Sequence, residues 1–439
     1  MNREPRSEPL AIWGGIECTV NRVDSTYFDQ IQRSGHDRRR DDLARIASLG
    51  IRTLRYPLLW ERTAPNGIAY ADWTFSDDRI AELQRLDIRP FVGLLHHGSG
   101  PRETNLLDPQ FAQKLAQYAC AVAERYPALD MYTPINEPLT TARFSALYGH
   151  WYPHASDDRS FIRALLLECH GVALAMRAIR AINPSAKLVQ TEDVGASRAA
   201  SRLSYQVAFE RERRWLTMGL LTGRVDRNHP LWRWLRRGEL EARILDDLRE
   251  LPCAPDIIGI NYYVTSERSL DDRVEYYPQE SVGGNGRDRY VDVEAVRVCE
   301  AGLLGCRSVI DETWERYRIP VAITEAHMGC TREEQLRWIF ELWTDACAAR
   351  TAGADVRALT IWSLLGAFDW RSLVTRDEGH YEPGAFDVRG AEPRETAVGQ
   401  LVRELVRGEI PTHPVLAEAG WWRRPDRFFN RIPAAKRAA

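Results

Sequence analysis

Eight short, almost continuously apolar runs, separated by longer amphipathic stretches, constrain this chain more than any other feature. They fall at 10–15, 53–56, 90–95, 131–135, 187–191, 257–260, 320–324 and 358–362. A strand that is apolar on both faces must be covered on both faces, which is the signature of a parallel sheet inside helices. Helical periodicity fills the gaps at 38–49, 76–86, 109–125, 161–182, 294–316 and 332–350. Within 38–49, Leu43, Ile46, Ala47 and Leu49 lie on one side, and Gly50 ends the pattern. Repeated strand–helix alternation predicts an α/β architecture, and eight strands favour closure into a (β/α)₈ TIM barrel with elaborated loops.

A barrel of this kind also accommodates the length. Its 439 residues, 44% hydrophobic and 28% charged, would suggest two or three ordinary domains. Barrels with insertions run past 400 residues as one. The expected organisation is one barrel domain over 1–413 and a tail over 414–439 carrying Trp421-Trp422-Arg423-Arg424. Residues 197–251, rich in Arg, Trp and Leu, read as a helical insertion. Residues 267–290, with Gly283-Gly284-Asn285-Gly286, read as a long loop after the sixth strand. Loops at the C-terminal ends of barrel strands commonly shape a site.

Charge and segment content narrow the function classes. With 59 basic and 62 acidic residues, the net charge of −3 favours neither nucleic acid nor a membrane surface. The charged start MNREPRSEPL lacks the apolar stretch of a secretory signal, and no run reaches the ~20 apolar residues of a membrane span. The expectation is a cytoplasmic protein with no nucleic-acid or membrane partner. Eight scattered cysteines form no Cys-x-x-Cys pair and read as small buried hydrophobes in a reducing compartment. His96 and His97 are adjacent. On a strand they would point to opposite faces and chelate poorly together, so they do not read as a metal site.

Two glutamates stand where barrel chemistry is done. Glu137 follows the fourth strand in Thr133-Pro134-Ile135-Asn136-Glu137-Pro138, and Glu325 ends the seventh in Val321-Ala322-Ile323-Thr324-Glu325. Both should reach the C-terminal mouth. Breaking a glycosidic bond with retention needs two carboxyl groups about 5–5.5 Å apart, one protonated and one ionised. The acidic pair Glu192-Asp193 follows strand five, where a structural role is at least as reasonable as a place at the mouth.

Asn136-Glu137-Pro138 and Ile323-Thr324-Glu325 resemble the strand-four and strand-seven motifs of glycoside hydrolase family 1. Further matches are Leu54-Arg55-Tyr56-Pro57, Pro90 to His96, Ile258-Gly259-Ile260-Asn261-Tyr262-Tyr263, and Ile361 to Trp370. Together the matches span roughly residues 12–389. The resemblance implies a retaining β-glycosidase with Glu137 as acid/base and Glu325 as nucleophile. It implies that Arg55 and Tyr263 hold Glu325, that Asn136 meets the sugar 2-hydroxyl, and that His96, Trp362, Asp369 and Trp370 line the sugar subsite. The partner is then a small glycoside or oligosaccharide, and the chemistry so implied requires no metal or organic cofactor.

Several positions depart from that pattern. His96-His97-Gly98 stands where the family has His-Trp-Asp, which puts His97 beside the subsite. Ala326-His327 stands for Asn-Gly, Asp369 for Glu, and strand one offers Glu17 or Asn21 in place of a glutamine. The catalytic set is intact while the sugar pocket is rewritten. The variant resembles a branch sometimes fused to a dTDP-4-dehydrorhamnose reductase-like domain, although no Gly-x-Gly-x-x-Gly opens a helix here. Transglycosylation on the same machinery and a non-catalytic carbohydrate-binding barrel are the competing readings.

Overall fold

The computed structural model describes residues 9–428. Eight parallel strands close into a barrel: β1 (Ala11–Gly15), β2 (Thr53–Pro57), β3 (Arg89–Gly93), β4 (Met131–Thr133), β5 (Lys187–Asp193), β6 (Ile257–Asn261), β7 (Val321–Ala326) and β8 (Val356–Ile361). All eight coincide with the apolar runs, to within a few residues at each end. Each strand bonds to its neighbours in sequence, and β1 closes on β8 through Ala11↔Ala358 and Trp13↔Thr360. Trp13, Phe91, Met131, Val189, Ala322 and Ala358 fill the interior, so the barrel is a packed core and not a pore.

One principal helix follows each strand: α1 (Asp42–Ser48), α2 (Thr74–Arg85), α3 (Phe111–Arg125), α4 (Asp158–Ile182), α5 (Glu239–Glu250), α6 (Cys306–Tyr317), α7 (Arg332–Thr351) and α8 (Ala397–Val406). The helix expected over 294–316 is broken. Arg289–Glu294 is a strand, Ala295–Val298 is one helical turn, and α6 begins only at Cys306. Gly302 and Gly305 adopt positive φ between them, and the buried Glu267 carboxylate accepts the Leu304 and Gly305 N–H groups at 2.9 Å each.

The two extra segments also differ from expectation. Residues 197–251 begin with a strand, Ser197–Ala199, and end with α5, the barrel's own crossover helix. Residues 267–290 are not a bare loop. Arg268–Asp271, Gly283–Gly284 and Arg289–Glu294 join Ser197–Ala199 in a four-stranded sheet over the barrel mouth. Leu203, Leu270 and Tyr290 form its small core. Strands this short, with so few apolar residues, carry little alternation to read.

Up to Phe428 the tail packs on α7. Trp422 is fully buried with its ring 5.0 Å from that of Trp338, and its Nε1 donates to Glu341 at 2.9 Å. The rest of the expected tail, 429–439, and residues 1–8 lie outside the described residues. Among the described residues no helix is long and apolar enough to cross a membrane.

Glu168, in the middle of α4, is fully buried, and neither carboxylate oxygen has a partner among the described residues. Burial, and then the charge on Glu192, pushes its carboxyl well above the usual range, so it folds as the neutral acid. The unfolded chain ionises near pH ~4.3. Stability is therefore complete below that pH and is lost as pH rises toward the folded value. Glu168→Met should raise stability at pH 7.5 by about 1–3 kcal/mol, the cost of an unpaired buried polar group. The gain in Tm should shrink as the scan moves to pH 4.5. A variant that melts lower at pH 7.5 would show that Glu168 has a polar role.

Candidate active site

The strand ends position the chemistry. In the β6–β7 pairing Asn261 sits beside Glu325, and in the β5–β6 pairing it sits beside Asp193, so three polar side chains share one level of the mouth. Beyond β3 and β4 a single bridge couples His96 to Asn136. A cavity of about 560 Å³ opens here, with Glu17, His96, His97, Glu137, Tyr263 and Glu325 in its wall.

The two glutamates sit in opposite environments. Glu325 receives Arg55 Nη1 at 2.6 Å and the Tyr263 hydroxyl. Burial raises its carboxyl, but the Arg55 guanidinium and the Tyr263 hydroxyl oppose that rise and favour the anion. Glu137 has no cation at ion-pair distance. Its closest donor is Asn261 Nδ2 at 2.5 Å, and His97 Nε2 lies 3.7 Å away. Burial, then the charges of Glu325, Asp193 and Glu192, drives it well above the usual carboxylate range. The shared proton therefore resides on Glu137. Burial and the neighbouring carboxylates also keep Tyr263 a phenol, able to donate.

The backbone at Glu137 is strained. Its φ of 45° is left-handed, a conformation that non-glycine residues adopt only when their surroundings insist. The surroundings are visible. Pro138 opens a short helix, Pro138–Ala142, whose Leu139 and Thr140 N–H groups donate to the buried Glu192 carboxylate at 2.9 and 3.3 Å. Thr217 and Thr140 hydroxyls complete the cradle, and burial pushes Glu192 up to about 7. Glu192 thus takes the structural role weighed for it, while its neighbour Asp193 lines the cavity.

Asn136 ties the set together. Its Oδ1 accepts from Arg55 at 2.5 Å and Thr191 at 2.8 Å, and its Nδ2 faces His96 Nε2 at 3.2 Å and His97 Nε2 at 3.1 Å. An amide nitrogen only donates, so both imidazoles accept there. Burial and Arg55 keep His97 neutral, its pKa lowered to about 3; His96 is also lowered, by burial first. The expectation that the two histidines diverge is incorrect. They lie past the end of β3, His97 has φ 57°, and their rings meet edge to face at 4.8 Å. Among the described residues no cluster of three or more His, Cys, Asp or Glu could hold a metal.

The remaining sugar-pocket expectations divide. Trp362 stacks on His96 at 5.5 Å and lies under Arg55 at 4.9 Å. Trp370 Nε1 donates to Glu17 at 3.0 Å, and Glu17 also accepts from the Thr19 N–H. Glu17, His96, Trp362 and Trp370 line the cavity. Asn21 and Asp369 do not. Asn21 lies in the Val20–Val23 strand and donates to the Val374 carbonyl at 3.1 Å. Asp369 is fully buried, with Arg33 at 2.7 Å and the His380, Glu378 and Gly379 N–H groups on its carboxylate. It braces a loop and has nothing left for a sugar. Sequence reasoning passed over Asn261, Thr191, His327 and Glu382. Asn261 stood inside a recognised motif and His327 at a position that departs from one, but neither had been given a role.

A closed parallel barrel with two buried glutamates at the ends of β4 and β7, one clamped by a guanidinium and one held protonated, is the architecture of a barrel glycosidase. The family model for glycosyl hydrolase family 1 matches residues 10–379. The chain belongs to that family and is a glycoside hydrolase, a retaining β-glycosidase. It is 24% identical over 424 residues to beta-glucosidase 47 of Arabidopsis thaliana, covering 87% of this chain and 76% of that one. It is also 24% identical over 403 residues to thermostable beta-glucosidase B of Thermobispora bispora, covering 83% and 79%. The fold superposes on a beta-glucosidase from Thermotoga maritima in complex with deoxynojirimycin, with a TM-score of 0.73, 17% identity, and 92% and 98% of the two chains covered.

Arg55 is the fork between the Glu325 and Asn136 sides of the site. Arg55→Met should lower kcat/KM on aryl β-glycosides by about 10²–10³-fold, because a preorganised charge is lost from a buried site. It should also move the acidic limb of the pH–rate profile upward, since the Glu325 anion loses its principal support. An unmoved acidic limb would mean that another group sets it.

Proposed function

We propose that Glu325 is the nucleophile and Glu137 the acid/base of a double displacement on a β-linked glycoside. The supporting observation is the unequal treatment of the two carboxyls: Arg55 and Tyr263 on Glu325, burial and like charge on Glu137. In the first step a Glu325 oxygen bonds to the anomeric carbon as the C–O bond to the leaving group breaks, and Glu137 gives its proton to the departing glycosidic oxygen. Glu325 becomes a neutral ester and Glu137 an anion. Loss of the Glu325 charge removes the electrostatic cause second only to burial in raising Glu137. The two carboxyls then no longer repel, and Glu137 takes a proton from water. The water oxygen replaces Glu325 at the anomeric carbon, restoring both groups.

Asn136 is assigned to the sugar 2-hydroxyl, for which its amide N–H exchanges one of the two imidazole contacts, and Glu17, His96, His97, Trp362 and Trp370 to the sugar wall. A second cavity of about 520 Å³ shares Thr140, Phe144, Asp193 and Trp370 with the first and carries Arg143, Arg213 and Arg268. It is the natural place for the leaving group. The similarity to beta-glucosidases supports a β-glucoside-type substrate. The eight thiols support a cytoplasmic setting. The resemblance to the reductase-fused branch supports a substrate from glycoconjugate metabolism.

The test is the anomer released first. Proton NMR during hydrolysis of a 4-nitrophenyl β-glycoside panel should show the β-sugar before mutarotation. An α-sugar as the first product would mean inversion and would remove Glu325 from the nucleophile role.

A further inference from the structure

We infer that Glu382, held by His327, binds a hydroxyl of the substrate sugar and confines the subsite beside Glu325 to neutral glycosides. This rests on the catalytic reading above and goes beyond it in naming a residue and a substrate class.

The carboxylate expected at the sugar's edge, Asp369, is spent on Arg33 and loop N–H groups. Another carboxylate fills the vacancy. Glu382 belongs to a two-residue strand, Tyr381–Glu382, that pairs antiparallel with Ala367–Phe368. That pairing turns Glu382 and Ala367 toward the cavity they both line. His327, two residues beyond Glu325, lies 2.8 Å from Glu382 Oε2 through Nε2, while its Nδ1 faces the Trp362 carbonyl at 3.1 Å. A carbonyl only accepts, so Nδ1 carries a hydrogen. Nε2 is then left to Glu382, and Oε2 is committed to His327. Oε1 makes no hydrogen bond among the described residues, which leaves it to accept from a ligand.

The space is made for this carboxyl. A Cβ on Gly329 would sit 2.5 Å from Glu382 Oε2 and 2.7 Å from Oε1, so any side chain there would expel it. The surrounding charge selects the ligand. Glu17, Glu137, Glu325 and Glu382 share the wall, whereas its guanidiniums are engaged: Arg371 with Glu378 at 3.0 Å, and Arg297 with Glu294 at 3.5 Å. Hydroxyls need only acceptors such as Glu382 Oε1, whereas a phosphate or uronate beside the Glu325 carboxylate would meet like charge with no unengaged guanidinium in the wall to offset it. The fitting class is a neutral, hydroxyl-rich glycone.

The experiment compares wild type, Glu382→Ala and Glu382→Gln on 4-nitrophenyl β-glycosides. The panel holds a neutral parent sugar, its monodeoxy analogues at each ring hydroxyl, and its 6-phospho and uronate counterparts. Glu382→Ala should lose about 10–100-fold in kcat/KM on the parent, the worth of a hydrogen bond to a charged group. The one analogue lacking the hydroxyl that Glu382 reads should be equally poor for both proteins, whereas the other analogues should still separate them. A purely structural Glu382 would depress every substrate alike, and that overturns the inference. So does a wild-type preference for the 6-phospho or uronate substrate. If the alanine variant fails to fold, Glu382→Met, which keeps the bulk and removes the acceptor, carries the same comparison, and Glu382→Gln, whose amide oxygen still accepts, should stay closer to wild type. Wild type that hydrolyses the parent while Glu382 proves indifferent sinks this inference alone. Wild type that hydrolyses nothing sinks the catalytic reading and this inference with it.

Discussion

Glu325→Ala will hydrolyse aryl β-glycosides about 10⁵-fold or more slowly than wild type, and no mechanism-based fluorosugar will label it. The size follows from what the side chain does. Removing a nucleophile abolishes the covalent route, and only binding and the remaining polar groups stay to help. Thermal stability should be spared by comparison. The fold places Glu325 where burial disfavours its charge and only Arg55 and Tyr263 oppose that. The alanine does leave Arg55 with one acceptor fewer, although Asn136 still receives Nη2 at 2.5 Å. Steady-state rates and mass spectrometry after 2-deoxy-2-fluoroglycoside treatment check this. Wild type should gain the mass of one sugar on the peptide containing Glu325. A variant retaining even a hundredth of wild-type activity would place the nucleophile elsewhere.

The frame of this site was readable because its signals are local. A strand covered on both faces must be apolar throughout, and that condition marked all eight barrel strands in the chain. Glu137 and Glu325 stand within a few residues of such strands, so their arrival at one mouth follows from barrel geometry. What the sequence left hidden is set by backbone direction and long-range pairing. His97 turns inward because φ is 57° beyond β3, which no residue pattern announces. Asp369 sits one residue from Trp370, yet only Trp370 reaches the cavity, because Arg33 and three N–H groups hold the carboxylate away. Glu382 enters the wall through a strand pair only two residues long. The sheet over the mouth unites segments some seventy residues apart, and its small core of Leu203, Leu270 and Tyr290 has no period of its own.

Glu137→Ala separates the two half-reactions, and the expected result depends on the leaving group. With a poor, alkyl leaving group the first step needs the proton, and the rate should fall by about 10²–10⁴-fold. With a strongly activated phenol the first step needs no acid. Glycosyl-enzyme should then form nearly as in wild type and accumulate, giving a burst of phenol and a lowered KM, because no base is left to activate water. Azide needs no base and is small enough to enter where the carboxyl was removed. It should restore turnover and release the β-glycosyl azide, the same anomer as the substrate, since it attacks the face opposite Glu325. The pH profile carries the same message. Glu137 is held protonated well above the usual carboxylate range by burial and by Glu325, and its ionisation should set the alkaline limb of wild-type kcat/KM. That limb should be absent in Glu137→Ala, while the acidic limb set by Glu325 stays. An α-glycosyl azide would mean that azide had replaced Glu325 as the attacking group. No azide effect combined with an intact alkaline limb would assign the acid/base to another carboxyl, and Asp193, in the same wall and itself raised by burial, would be the next to replace.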